Sequence, residues 1–212
     1  MAPPRNLPWL RGLNKRTVSA AVLAGAGLAI GFIQLMATPL RDVSAVEVQV
    51  LAVRTTVFVA PLTVSLLQLL QQCPLLLEEA DLVASSLQGG WRLRLASVGG
   101  MALCSAILML YFQAAALIAA VLSRPESDAV AELHHLSGTI NPLLLLLLLL
   151  KAALFGAIAA GLTLQQGLRE LRKQRYPARR MADSVLVSIT VLLIIDLTLV
   201  VVLDPLRIGA NG

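Results

Sequence analysis

Residues 141–164 read NPLLLLLLLLKAALFGAIAAGLTL, and residues 185–203 read VLVSITVLLIIDLTLVVVL. Each run is long enough to cross a hydrocarbon layer as a helix, which takes about 20 apolar residues. Each also carries one charge near its middle, Lys151 and Asp196. A charge at bilayer depth costs roughly 3 kcal/mol or more unless it is paired or hydrated. Both positions therefore need a physical reason, and that reason bears on function.

Composition sets the class. Of 212 residues, 58% are hydrophobic and 14% charged, with mean hydropathy +0.82. That is too little polar surface to cover a soluble globule, so lipid must cover the rest. Aromatic residues make up only 4%, and the apolar content is mainly Leu, Ala and Val. This is the composition of packed helices, unlike the aromatic girdles and alternating strands of an outer-membrane barrel. The expected fold is all-α, a polytopic transmembrane bundle.

Five stretches have the required length: Val18 to Ala37, Val48 to Leu70, Leu95 to Leu122, Ile140 to Leu164 and Val185 to Leu203. Residues 18–203 thus form the membrane domain, between a short N-terminal segment (1–17) and a short tail (204–212). The second stretch contains Pro61, which frees a carbonyl and predicts a bent span. The first follows Arg5, Arg11, Lys15 and Arg16 but exceeds a signal peptide's apolar run of about 7–15 residues, so it reads as a retained span.

Lys and Arg alternate between loops. They gather in the N-terminal tail, at Arg92 and Arg94, and from Arg169 to Arg180, whereas the intervening loops carry Asp42, Glu47, Glu126, Asp128, Glu132 and Asp204. The positive-inside rule then predicts a cytoplasmic N-terminus and an external C-terminus, which an odd number of spans satisfies. The net charge of +5 fits a basic membrane surface. No basic stripe is interleaved with aromatic residues, so nucleic-acid binding is not expected.

Cys73 and Cys104 imply no disulfide or metal framework. His134 and His135 are adjacent, and neighbours on a helix point about 100° apart, a poor two-ligand arrangement; they read as part of a solvated loop or a short interfacial helix from Ser127 to Leu136. No phosphate-binding loop, nucleophile elbow or redox Cys-x-x-Cys occurs, so the chain is expected to be no enzyme and to bind no cofactor or metal. Any energy source would lie in another subunit. A loop expected over Gln71 to Arg94, with Glu78, Glu79 and Asp81 before a helix-like stretch from Leu82 to Leu87, is a docking element for it or a solvated acidic turn.

Lys151 lies ten residues beyond Asn141, about 15 Å at 1.5 Å per residue, and Asp196 lies eleven beyond Val185, about 17 Å from the other surface. Because consecutive spans pack antiparallel, the two charges are nearly level and an ion pair is plausible. Such a pair either pins helix register or borders a hydrated cavity and couples a conformational change. Gly27 and Gly31 form a small-xxx-small pair that predicts close helix packing or a subunit contact.

The segments Asn141-Pro-Leu, Lys151-Ala-Ala-Leu-Phe155, Leu164-Gln-Gln-Gly167, Ala178-Arg-Arg-Met-Ala-Asp-Ser-Val185 and Ile195-Asp196-Leu197 resemble the end of MlaE (YrbE-type) permeases. These are the membrane subunits of ABC systems that move lipid with MCE-domain proteins. Upstream, Phe58-Val-Ala-Pro61-Leu resembles the segment carrying Arg-Glu-Leu-Gly-Pro in that family, here without Arg-Glu. Glu78-Glu-Ala-Asp81 through Ser85-Ser86 resembles the loop that contacts the ATPase.

The resemblance implies a divergent permease subunit in a bacterial inner (plasma) membrane. Its implied partners are a cytoplasmic ABC ATPase that hydrolyses ATP, an MCE-domain lipid-binding protein and a second permease chain, as homo- or heterodimer, with phospholipid as cargo. Spans one, two and five would line a lipid cavity, Glu78, Glu79 and Asp81 would face the ATPase, and Lys151 with Asp196 would brace the core. The alternative is a non-transporting scaffold or assembly subunit of a membrane complex.

Overall fold

In a computed structural model, residues 13–37, 39, 44–85, 90–123, 129–138, 140–171 and 177–208 are described. They form six helices: α1 (Lys15–Ala37), α2 (Ala45–Ser85), α3 (Gly90–Leu122), α4 (Ala129–Gly138), α5 (Pro142–Leu171) and α6 (Pro177–Ile208). Five contain segments long and apolar enough to cross a membrane: Lys15–Ala37, Ala45–Ala84, Gly90–Leu122, Pro142–Arg169 and Met181–Leu199. The first twelve residues, the last four, and Arg172, Lys173 and Arg175 of the basic stretch used to read orientation lie outside the described residues.

Local sequence explains where several helices begin. Ser44 and Glu47 close a reciprocal capping box, Ser44 N–H donating to Glu47 Oε2 (3.3 Å) and Glu47 N–H to Ser44 Oγ (3.3 Å). Asn141 caps α5, its Oδ1 accepting from Leu143 N–H at 2.9 Å. Pro142 then occupies the first helical position, where its missing N–H leaves nothing unpaired.

The loop expected over Gln71 to Arg94 is mostly helix, and only residues 86–89 separate α2 from α3. The apolar run ends near Leu70, but α2 continues through Pro74 because its next stretch is amphipathic. Leu76, Leu77, Ala80 and Val83 are buried, while Glu78, Asp81 and Leu82 are exposed. Both prolines are accommodated inside a single 41-residue helix. Ser65 Oγ donates to Pro61 O at 2.7 Å, adding a side-chain bond one turn beyond the kink-prone site. The surface helix expected over Ser127 to Leu136 appears as α4, anchored by buried Leu136.

Helices α2, α3 and α5 pack on one another, with α1 against α3 and α2, α6 against α5 and α2, and α4 against α3. The central cluster joins four helices: Ala21 of α1, Val57 and Val64 of α2, Leu108 and Phe112 of α3, and Leu148 and Ala152 of α5. Around it the outward surface is leucine-rich, including Leu23, Leu35, Leu122, Leu143, Leu150 and Leu197. Lipid is as apolar as these side chains, so close packing and interhelical polar contacts hold the bundle together.

Two glycines mark the closest approaches. A β-carbon at Gly25 of α1 would meet the Phe112 backbone of α3, 3.0 Å from its carbonyl carbon and nearer to its oxygen. Gly156 of α5 rests on α3 in the same way, against Ser105 and Met101. Gly27 and Gly31 face outward with nothing within 4 Å of a β-carbon. Close packing within the chain therefore uses Gly25, two residues before Gly27 and therefore on nearly the opposite face of the helix.

Candidate functional site

The α5–α6 seam carries the charges. Lys151 Nζ lies 2.5 Å from Asp196 Oδ1, and the side chains are 18% and 24% exposed. Asp196 Oδ1 is itself enclosed and has no hydrogen-bond donor of good geometry among the described residues, so the neighbouring ammonium supplies its compensation. Phe155, one turn along α5 on the same face, places its ring centroid 5.4 Å from Lys151 Nζ, within cation–π reach.

Packing fixes this geometry from below. Phe155, Ala159 and Leu192 are fully buried with Leu69 of α2, so α5 and α6 cannot slide without opening that cluster. Farther along, Thr163 Oγ1 and Ser188 Oγ stand 3.5 Å apart in the same seam. The two polar contacts, twelve residues apart on α5 and eight on α6, flank the apolar layer and fix an antiparallel register.

A second polar layer crosses the core. Gln68 Nε2 donates to Met101 O at 3.3 Å, and Ser105 Oγ donates to Gln68 Oε1. Ser65 Oγ lies 3.4 Å from Ala152 O. At the α4 end, Gln49 Nε2 clamps α2 to α3 through Ala120 O (2.9 Å) and Ser123 Oγ (3.2 Å). The sequence reading passed over these neutral residues in favour of charges; their signal was the placement of Gln and Ser inside apolar runs, where an unpaired polar group is costly.

The other anticipated site residues lie apart from the seam. Glu78, Glu79 and Asp81 occupy the last turns of α2; Glu79 Oε2 accepts from Ser97 Oγ at 2.5 Å, while Glu78 and Asp81 are exposed. Gly27 and Gly31 lie on the exposed face of α1, and Pro61 is buried within α2. The structure thus brings Lys151 and Asp196 together and keeps the acidic residues, the α1 glycines and the proline at separate places.

The family model for the permease MlaE matches residues 92–202, more than half of the chain. The chain belongs to the MlaE permease family. The match runs through α3, α4 and α5 and most of α6, so it begins well upstream of the C-terminal third that carried the resemblance. Both members of the ion pair fall within it; Pro61 and the acidic end of α2 precede it. This MlaE-family protein is therefore a multi-pass membrane permease, a transporter component by family. No curated protein and no solved structure matches it.

Proposed function

We propose that the protein is the permease subunit of an ABC system that moves phospholipid between membranes. In this reading it acts as a dimer in a bacterial inner membrane, with an MCE-domain protein and a cytoplasmic ATPase that hydrolyses ATP. The observation that carries the proposal is the family match across α3 to α6, which includes both partners of the Lys151–Asp196 ion pair.

Several features support the individual roles. Helices α1 and α6 both pack on α2, which suits a lipid path bordered by the first, second and last spans. The exposed Glu78 and Asp81, at the end of a helix longer than the membrane, offer an acidic face to a basic groove on the ATPase. The exposed Gly27 and Gly31 suit contact with a second permease chain, and the Lys151–Asp196 pair braces the seam.

Co-purification tests the proposal. Protein extracted in mild detergent should bring down a nucleotide-binding subunit and an MCE protein, and Glu78→Lys with Asp81→Lys should release the nucleotide-binding subunit alone. Recovery of a folded chain with neither partner would favour a scaffold.

A further inference from the structure

Two complementary hydrogen-bonding groups stand unfilled on the seam between α2 and α3. On α3, Gln113 is 4% exposed, and neither of its amide atoms has a partner among the described residues. On α2, Pro61 lies inside the helix and has no N–H, so the carbonyl of Val57, one turn earlier, is deprived of its helical donor. One group offers a donor and the other an acceptor.

Contacts on either side place them together. Gln49 Nε2 donates to Ala120 O, and Gln68 Nε2 to Met101 O. The two helices run antiparallel, so counting seven residues inward from the first contact, or twelve outward from the second, reaches Thr56 on α2 and Gln113 on α3. Gln113 lies two turns before Ala120, on the same face of α3. Val57 shares a buried cluster with Met109 and Phe112, which lie beside Gln113, and Val53, one turn earlier, shares another with Ala120. Side chains lean toward the start of their helix and carbonyls point toward its end, so in this antiparallel pair the amide and the carbonyl incline to one level.

The rod is also weakened here. Thr56 Oγ1 donates to Val53 O (2.7 Å), Thr63 Oγ1 to Val59 O (3.0 Å) and Ser65 Oγ to Pro61 O (2.7 Å); hydroxyls bonded back to the preceding turn bend helices, as proline does. Pro61 divides α2 into an outer part packed on α3 and α4 and an inner part packed on α3, α5 and α6. A change of bend at Pro61 moves one part against the other.

We propose that Gln113 is a conformational latch: in a second bend of α2 at Pro61, Gln113 Nε2 donates to the Val57 carbonyl, and the described arrangement is the unlatched one. The unfilled amide raises the free energy of one position of α2 and is relieved in the other, which keeps both populated. The inference goes beyond the permease reading and stands whichever partners the chain recruits.

Nitroxide labels on Leu51→Cys of α2 and Leu143→Cys of α5, both exposed positions, report the bend by double electron–electron resonance. The full-length protein is measured in lipid nanodiscs with Cys73→Ala and Cys104→Ala. The parent should show two distances. Gln113→Met should reduce the second population about five-fold, the factor that one buried hydrogen bond supplies. Pro61→Ala returns an N–H to the Val57 carbonyl and should reduce it as much, and combining the two should bring no further loss.

A single distance in the parent would overturn the latch. So would a second population that Gln113→Met leaves unchanged, or losses that multiply in the double variant. Should Gln113→Met fail to fold, Pro61→Ala decides alone: a second population unchanged there overturns the latch, and its five-fold loss supports it.

Discussion

Gly156 is the point at which α5 rests on Ser105 of α3: a β-carbon there would collide with Ser105 Oγ and stand 2.8 Å from Met101 O. The same Ser105 hydroxyl donates to Gln68 Oε1, so this contact also sets the geometry of the core polar layer. Replacing Gly156 with Ala should displace that hydroxyl and lower stability by about 1–3 kcal/mol, the usual cost of overpacking. Gly161→Ala, on the same helix with nothing within 4 Å, should be neutral or slightly stabilising because alanine favours the helix. Melting temperatures of the two variants in one detergent make the comparison.

The ion pair predicts non-additivity. Lys151→Met alone leaves Asp196 without compensation inside the bundle and should cost about 3 kcal/mol. Adding Asp196→Leu should recover much of that loss, because two apolar side chains replace two charges. Denaturant titration of the two single variants and the double variant measures the coupling. Losses that simply add would mean that the 2.5 Å contact does not persist in the folded protein.

Two buried glutamines should respond with opposite signs. Gln68 is fully buried with its amide bonded to Met101 and Ser105, so Gln68→Met should destabilise by about 1–3 kcal/mol by orphaning its partners. Gln113 is only 4% exposed, and neither of its amide atoms has a hydrogen-bond partner among the described residues. Gln113→Met removes an unpaid desolvation and should stabilise by about 1–2 kcal/mol. Thermal scans read both directions.

The outward glycines separate folding from assembly. Gly27→Leu and Gly31→Leu have open space around them, so the monomer should melt within about 0.5 kcal/mol of the parent. If this face of α1 meets a second chain, the same variants should shift cross-linking or size distribution from dimer to monomer. A dimer fraction that does not change removes α1 from the interface.

How much of this was legible from sequence depends on the kind of signal. The apolar runs around Leu143–Leu150 and Val185–Leu203 announced helices directly, because length and hydropathy are local properties. Counting along the two helices also brought Lys151 and Asp196 to one depth. The extent of α2 was not legible in the same way: the end of its apolar run and Pro74 both suggest a helix stop, and only the burial of Leu76, Ala80 and Val83 against neighbouring helices explains why the helix continues. The choice of Gly25 over Gly27 was not legible either, since small residues mark close approach without specifying which face of the helix turns inward. The capping box at Ser44 and Glu47 was missed in the sequence, where Glu47 counted only as a loop acid, although the Ser-x-x-Glu spacing is its signal.

At about 1.5 Å per residue, the 41 residues of α2 measure roughly 60 Å, about twice the thickness of a hydrocarbon core. Much of this rod must therefore protrude as a rigid spur whose compass bearing is set by residue count. One alanine inserted after Gln72 would swing Glu78, Glu79 and Asp81 by about 100° relative to the half of the rod that keeps its place in lipid. Ser97 would then lose the carboxylate it now holds. Loops forgive such insertions; this spur has the indexing of a gear tooth, and a single added residue would put it out of mesh.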